Sequence, residues 1–229
     1  MADPVLQARE RLDAIEAQIS RARNRFGPPL REVTLVAVSK TVPPERLTPF
    51  LEAGQRVFGE NRVQEAKAKW PGLRGSYEGI ELHLIGPLQT NKAREAVALF
   101  DVIQTLDREK LAGVLAAEMQ RAGRFLPCYV QVDIGLEPQK AGVAPAECVD
   151  FVTRCRTVHG LRIDGLMCIP PEAESPGPYF AQMAGLARAA GCDHLSMGMS
   201  ADFEVGIAMG ATHVRIGTGI FGTRTPANA

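Results

Sequence analysis

The chain has no excess of charge of either sign, which narrows the classes of function open to it. Its 229 residues include 26 lysines and arginines against 26 aspartates and glutamates. Without a basic excess or a long basic run, the composition argues against nucleic-acid binding. No apolar stretch approaches the ~20 residues of a membrane helix, and the N-terminus lacks an apolar signal core. We therefore expect a cytoplasmic protein with no membrane partner.

Paired cysteines are absent as well. The five cysteines are scattered without a CxxC pair, and the four histidines lack metal-ligand spacing. The sequence therefore predicts neither disulfides nor a metal site. Most of the cysteines are expected to be small core residues, but Cys168 follows a predicted strand and could face a site.

Short apolar strands alternate with helical patterns along most of the chain. Asp3 and Pro4 are typical of a helix start, and apolar residues recur at steps of three and four up to Phe26, which predicts a helix within 1–26 packed on the fold. The predicted strand cores are 33–39, 56–59, 81–85, 101–104, 128–134, 161–167, 193–196 and 213–216. The helices predicted between them are 44–53, 61–69, 90–99, 107–122, 145–157, 178–190 and 201–209. This alternation indicates an α/β (β/α)8 TIM barrel as a single domain over 1–229, with a doubly wound open sheet as the alternative.

Lys40 ends the first predicted strand, where parallel α/β folds build their sites. The run 33–39 is apolar enough to be covered on both faces. A partly desolvated lysine loses its proton more easily, and its neutral amine can attack an aldehyde to form a Schiff base. The alternative is a lysine whose stem only extends along the strand end toward water.

The last two predicted strands end in glycine-rich loops that resemble a phosphate-binding site. Gly198 and Ser200 follow the seventh strand, and Gly217 and Thr218 follow the eighth, where barrels often bind phosphate. Glycine lets backbone amides approach an anion, and hydroxyls add donors. Each loop alone is typical of a tight turn, but two of them at these positions favour a phosphate site.

Arg215 is expected to point into the barrel, because strand alternation places it opposite Val214 and Ile216. A buried guanidinium needs a partner. That partner could be an inward carboxylate such as Asp133, or it could be a ligand atom.

Three further side chains are candidates on neighbouring strands. Asn61 could bind a ligand hydroxyl, although its spacing favours capping of the next helix. His83 is more typical of a core histidine with satisfied hydrogen bonds than of a ligand contact. Lys140 is expected at the surface of the same barrel mouth as Lys40, as a second amine that could accept an aldehyde transiently.

Together, a lysine on the first strand, a phosphate site after the last two and an inward arginine indicate pyridoxal 5′-phosphate. Its aldehyde would pair with Lys40, its phosphate with the glycine loops, and its pyridine nitrogen with Arg215. Arginine does not readily give up a proton, so it would keep that nitrogen unprotonated and weaken the ring as an electron sink. This disfavours transamination and deep carbanion chemistry.

Several motifs carry a resemblance to a known family. They are VAVSKT at 36–41, FGEN at 58–61, VQE at 63–65, HLIGPLQ at 83–89, GLM at 165–167, LSMGMS at 195–200 and VRIGT at 214–218. In these segments the chain resembles the pyridoxal phosphate homeostasis protein family, once described as proline synthase co-transcribed homologues. The one departure is Arg62, where we expect an aromatic residue, usually tyrosine; this affects a stacking role there and not the lysine or the phosphate site.

The resemblance implies a fold similar to the barrel domain of alanine racemase and a cofactor held as a Schiff base on Lys40. It also implies a role in vitamin B6 balance and amino-acid metabolism, with no accepted catalytic reaction. The residues expected to bind the cofactor are Lys40, Asn61, His83, Ser200, Arg215, Gly217 and Thr218.

Two functions then compete: a carrier or buffer of pyridoxal phosphate that is not an enzyme, and a small racemase or lyase. Related racemases add a β domain with a second acid/base tyrosine, whereas this chain ends seven residues after Gly222. Racemisation needs a proton donor on each face of the carbanion, which Cys168 or Tyr179 would have to supply here. The carrier is therefore favoured, with pyridoxal-phosphate-dependent apo-enzymes as possible recipients. A charged helix face favours a monomer, and a barrel for another phosphorylated metabolite is the third interpretation.

Overall fold

The computed structural model describes residues 3–25 and 32–222, which form a closed barrel of parallel strands. The strands follow one another around the barrel in chain order, and the last pairs with the first. They are β1 Thr34–Val38, β2 Val57–Glu60, β3 Glu81–Leu84, β4 Val102–Leu106, β5 Cys128–Val132, β6 Ile163–Cys168, β7 His194–Met199 and β8 His213–Ile216. The predicted (β/α)8 barrel is confirmed, and the open sheet is wrong.

Helices cover the outside of the barrel. They are α1 Pro4–Asn24, α2 Pro44–Glu52, α3 Val63–Ser76, α4 Ala93–Leu99, α5 Glu109–Ala122, α6 Cys148–Thr157, α7 Pro176–Ala189, α8 Phe203–Ala208 and α9 Thr218–Phe221. Helix α3 continues to Ser76, beyond the predicted end at residue 69, and it contains Pro71, a residue type that usually breaks a helix. The prediction missed α9, since four residues are too few to show a helical period.

The first helix begins as the sequence predicts. The Asp3 carboxylate accepts a hydrogen bond from the Val5 amide at 2.9 Å and so caps the helix. The Arg11 guanidinium donates to the Ile220 carbonyl at 3.2 Å, which attaches α1 beside the end of β8. Helix α1 ends at Asn24; the predicted continuation to Phe26 and the stop that follows it lie outside the described residues.

The barrel separates an apolar outer core from a largely polar interior. Strand alternation sends one set of side chains toward the helices, as where Phe58 meets Trp70 with ring centroids 4.9 Å apart. Inside, a small apolar cluster contains Val102, Tyr129 and Met167. The buried polar side chains include His83, Gln104, Gln131, Ser196, His213 and Arg215. A polar interior of this kind provides hydrogen-bonding groups directly beneath the barrel mouths.

The described ranges contain neither a membrane-spanning helix nor a metal-binding cluster. None of these helices combines the length and apolarity that crossing a membrane requires. No cluster of three or more His, Cys, Asp or Glu side chains in the same ranges is arranged to hold a metal ion.

Candidate cofactor site at the carboxyl end of the barrel

Lys40 follows β1 at the carboxyl end of the barrel and is half-buried. Alternation places Val36, Val38 and Lys40 on the interior face of this strand. The position of Val36 supports this assignment, because a Cβ added to Gly59 on β2 would lie 3.0 Å from its Cγ1. The amine of Lys40 is therefore carried at the mouth of a polar interior, as its place in the sequence predicts.

The turn that carries Lys40 is fixed from the helix layer by a buried lysine. The Lys69 amine donates to the carbonyls of Ser39 and Val42, both at 2.9 Å, and thus spans the turn on either side. Within the turn, Thr41 has a φ of 62°, a left-handed conformation that a β-branched residue rarely adopts. Its amide donates to the Glu65 carboxylate, which also pairs with Lys69 at 3.2 Å.

Glu60 completes this arrangement and is itself fully buried. One of its oxygens, Oε1, accepts hydrogen bonds from the Lys69 amine at 2.8 Å, the Ser39 hydroxyl at 2.7 Å and the Trp70 indole at 3.1 Å. Burial raises the pKa of Glu60, and the charge of Lys69 opposes that effect. The Lys69–Glu60 ion pair contacts the backbone of the turn from the helix side of the barrel wall, and it therefore leaves the interior side, which Lys40 faces, unoccupied by these two side chains.

The two glycine-rich loops meet at the same mouth. The Thr218 hydroxyl donates to the Ser200 hydroxyl at 3.1 Å, which joins the loops after β8 and β7. A Cβ on Gly217 would lie 3.2 Å from the Val38 carbonyl oxygen, so the β8 loop passes close to the end of β1. Gly198 has a φ of 92°, and a Cβ there would lie 2.8 Å from the Phe203 Cα. These close approaches bring hydroxyl and backbone donors beside the strand that carries Lys40.

Arg215 lies inside the barrel and is only 4% exposed. Its guanidinium donates to the Ser196 hydroxyl at 2.7 Å and to the Cys168 carbonyl at 2.8 Å. Burial lowers its pKa, because it penalises the charged form.

Arg215 forms no salt bridge with any carboxylate of the described residues. The suggested ion pair with Asp133 is wrong, since that carboxylate is half-buried and accepts from the Glu137 amide at 3.2 Å. The direct hydrogen-bond partners of Arg215 are neutral, and the Asp202 carboxylate acts on it through its charge without forming a salt bridge, which leaves N–H groups for a ligand that accepts them.

Asn61 is not the helix cap that its spacing favours. The N-cap of α3 is Arg62, whose side chain makes no capping hydrogen bond. The backbone of Asn61 packs so tightly on the next loop that a Cβ on Gly86 would lie 2.3 Å from its carbonyl oxygen. Its half-buried amide forms no side-chain hydrogen bond within the described parts of the chain, so it is available to a ligand.

His83 is placed differently from the other candidates. Its Nε2 lies 2.6 Å from a Glu81 carboxylate oxygen, and its Nδ1 lies 2.6 Å from the Gln104 amide nitrogen. Both ring nitrogens are therefore satisfied within the barrel. Because Glu81 begins β3 at the opposite mouth, the structure favours a core histidine and not a cofactor contact.

Comparison with known proteins gives a consistent result. The family model of the alanine racemase N-terminal domain matches residues 11–225. The pyridoxal phosphate homeostasis protein of Escherichia coli K12 is 40% identical over 225 residues, covering 93% of this chain and 95% of the relative. The one from Aquifex aeolicus VF5 is 37% identical over 228 residues, covering 96% and 99%. The chain belongs to the pyridoxal phosphate homeostasis protein family.

Solved structures agree with this assignment. PipY from Synechococcus elongatus PCC7942, solved with PLP bound, is 36% identical with a TM-score of 0.81 and covers 94% of this chain and 100% of its own. An alanine racemase from Clostridium difficile 630 is 13% identical with a TM-score of 0.68, covers 95% of this chain and 58% of its own, and shows the fold alone. The resemblance seen in the motifs is confirmed.

Cys168 and Lys140 are two further candidates from the sequence, and both contact other parts of the protein. Cys168 ends β6 with its side chain fully buried in the outer core, and only its carbonyl reaches Arg215. Lys140 is partly buried, donates to the Pro170 carbonyl at 3.1 Å and pairs with the Glu137 carboxylate. Its proposed role as a second amine stays a prediction.

Sequence reasoning missed the residues that support the mouth from behind, above all Lys69 and Glu60. A signal for Lys69 was present, because Val63, Ala66, Trp70 and Leu73 recur at helical spacing and position 69 falls on the same face. A charged residue inside an apolar stripe is a candidate for a buried ion pair.

Proposed function

We propose that this chain binds pyridoxal 5′-phosphate at the carboxyl mouth of the barrel and acts in intracellular vitamin B6 homeostasis as a carrier or buffer of that cofactor. The observation that carries the proposal is the buried Arg215 guanidinium, which forms no salt bridge with a carboxylate of the described residues and lies inside the barrel whose carboxyl mouth carries the half-buried Lys40. The membership of the family and the PLP bound to its relative PipY support it.

Each side chain of the mouth has a role that fits its chemistry. Lys40 would hold the cofactor through its amine, while Ser200, Gly217 and Thr218 would receive the phosphate through hydroxyl and backbone donors. Arg215 would donate to the pyridine nitrogen, and the amide of Asn61 is suited to the ring hydroxyl. When bound, the cofactor supplies an aldehyde that condenses with a neutral amine and releases water.

We infer storage and delivery without a catalytic reaction, because neither candidate for a second proton-transfer group, Cys168 or Tyr179, is suited to that role. Burial raises the pKa of the Cys168 thiol to about 12, so it is a poor base at neutral pH. The Tyr179 hydroxyl donates to the Glu174 carboxylate at 2.6 Å, and this hydrogen bond raises its pKa. Racemisation needs a proton donor on each face of a carbanion, and neither side chain is suited to that task.

The remaining parts of the proposal concern the setting of the protein. We propose a cytoplasmic monomer in which residues 1–229 form one cofactor-binding domain, and which delivers its cargo to apo-enzymes that depend on pyridoxal phosphate. Sedimentation velocity of the loaded protein tests the monomer, and a dimer at micromolar concentration would contradict it.

The function is tested by three assays on the same preparation. Titration with pyridoxal phosphate should give a visible absorption band in the parent protein and in Lys67→Ala, a surface control, but not in Lys40→Ala. The loaded protein should reactivate an apo-enzyme, and L-alanine or L-serine should keep its optical activity. If the protein racemises the amino acid at an enzyme-like rate and Lys40→Ala abolishes that activity, the carrier hypothesis is wrong and the protein is a racemase. If no visible band forms, the site favours another phosphorylated ligand.

A further inference from the structure

A chain of buried side chains runs from Arg215 through the interior of the barrel to its opposite mouth. The guanidinium donates to the Ser196 hydroxyl at 2.7 Å, and that hydroxyl donates to the Gln104 carbonyl oxygen at 2.6 Å. The Gln104 amide nitrogen meets His83 Nδ1 at 2.6 Å, and His83 Nε2 meets the Glu81 carboxylate at 2.6 Å. Ser196, Gln104 and His83 have no measurable exposure to solvent.

With the Gln104 oxygen facing Ser196 and its amide nitrogen facing His83, the contacts have one direction of donation. The Ser196 hydroxyl has a single proton, so while it accepts from the guanidinium it must give that proton to Gln104. The amide nitrogen of Gln104 can only donate, which makes His83 Nδ1 an acceptor. The carboxylate of Glu81 can only accept, which makes His83 Nε2 a donor. His83 is therefore the neutral tautomer with its proton on Nε2, and every bond in the chain points away from Arg215.

A chain of this kind fixes the guanidinium without neutralising it. Aligned hydrogen bonds polarise one another and become stronger inside a protein. Arg215 gains an oriented acceptor in Ser196. Within this hydrogen-bonded series the one carboxylate belongs to Glu81, whose side chain is 48% exposed and is separated from Arg215 by three other side chains. A carboxylate in direct contact with Arg215 would cancel much of the charge that a ligand meets.

We propose that Ser196, Gln104 and His83 are positioning residues, which aim the guanidinium of Arg215 at the cofactor mouth and preserve its charge for a ligand acceptor such as an unprotonated aromatic nitrogen. The proposal rests on the proposed function for the identity of that ligand. The hydrogen-bond direction and the His83 tautomer do not depend on it.

The protein contains another buried glutamine that serves as a matched control for Gln104. Gln55 is also a buried glutamine, but its amide donates only to the backbone carbonyls of Leu35 at 3.1 Å and Val57 at 2.6 Å. Gln104→Met and Gln55→Met therefore each remove one buried amide at similar volume, and only the first interrupts the chain to Arg215. Gln104→Glu keeps the shape of the side chain but gives it two acceptor oxygens.

Cofactor titration of these variants gives the first readout. We expect Gln55→Met to bind pyridoxal phosphate within twofold of the parent, while Gln104→Met binds at least tenfold more weakly with a shifted visible absorption maximum. Gln104→Glu should also weaken binding and should force His83 to carry a proton on Nδ1. If Gln104→Met keeps the affinity and spectrum of Gln55→Met, the positioning role is refuted.

Nitrogen-15 NMR of the protein without cofactor gives the second readout, with His83 assigned by loss of its signals in His83→Gln. We expect one protonated nitrogen, Nε2, in the parent protein and in Gln55→Met. A proton on Nδ1 in the parent would overturn the inference even if every variant failed to fold. If the parent binds no pyridoxal phosphate, the proposed function fails, while the NMR result still decides the direction of the chain.

Discussion

Replacing Lys69 with methionine should destabilise the protein far more than a surface lysine change would. The substitution keeps most of the buried stem but removes the ammonium from Glu60, whose side chain has no exposed surface. It also leaves the carbonyls of Ser39 and Val42 without their lysine donor. Breaking a buried ion pair from one side costs about 3–5 kcal/mol, because the remaining charge is buried without compensation.

The Ser39 hydroxyl and the Trp70 indole still donate to Glu60 Oε1 after the substitution, so we expect a cost within this range and not above it. The second oxygen of Glu60, Oε2, is buried without a hydrogen-bond partner among the described residues, and Lys69 is the salt-bridge partner of Glu60 within them. For a chain of this size, such a loss corresponds to a melting temperature lower by roughly 10 °C. Urea unfolding of the cofactor-free protein, monitored by circular dichroism, measures the change directly.

Two companion variants make the test specific. Lys67→Met lies on the same helix and breaks only an exposed pair with Glu95, whose N–O distance is 3.0 Å, so it should cost less than about 1 kcal/mol. Adding Glu60→Gln to Lys69→Met should recover about half of the lost stability, because the uncompensated charge is gone. If Lys69→Met costs no more than Lys67→Met, the buried pair does not stabilise the turn that carries Lys40.

The pH dependence gives an independent check. A carboxyl group whose pKa is raised by folding binds protons more tightly in the folded state, so stability rises as pH falls toward that pKa. Burial raises the pKa of Glu60 even with Lys69 present. The deficit of Lys69→Met should therefore be larger at pH 8 than at pH 5, and an equal deficit would argue against a charged Glu60 as its cause.

Three further predictions concern other parts of the molecule. Burial lowers the pKa of His213 to about 3. The folded state therefore resists a proton that the unfolded state takes up below about pH 6.5, and the contribution of His213 to stability should fall by about 2–3 kcal/mol between pH 8 and about pH 4.5. Urea titrations should show a smaller fall in His213→Gln, and an unchanged fall would contradict a buried neutral His213. Gly217→Val should weaken cofactor binding at least tenfold, because its Cβ would lie 3.2 Å from the Val38 carbonyl oxygen; equal spectral titrations would refute this. Lys140→Ala should slow transfer of cofactor to an apo-enzyme. Transfer at the parent rate would refute a role for Lys140 as a second amine.

The architecture and the position of the mouth could be predicted because both depend on local patterns. Apolar runs separated by helical periods indicate strands whose carboxyl ends meet, and this places Lys40 and Gly217 at one mouth without knowledge of any distance. The inward direction of Arg215 follows from the period of two along a strand.

The supporting contacts could not be predicted because they depend on how separate elements pack. The helical spacing places Lys69 on the apolar face of α3, but its partners Ser39, Val42 and Glu60 are determined only by the packing of α3 against the β1 turn. The contact of Gln104 with Ser196 joins residues 92 positions apart across the barrel interior. It requires β4 and β7 to have registers that no local pattern specifies. For Asn61 the local pattern was misleading: its residue type and spacing predict the N-cap of α3, but the N-cap in the structure is Arg62.

The central claim is that the Lys40 amine is the group that holds the cofactor. Borohydride reduction of the cofactor-saturated protein, followed by peptide mass spectrometry, locates the amine that carries it. We expect the added mass on the peptide that contains Lys40, with Lys67 and Lys69 unmodified. A saturated protein in which Lys40 remains unmodified, or in which the mass appears on another lysine, would contradict the account.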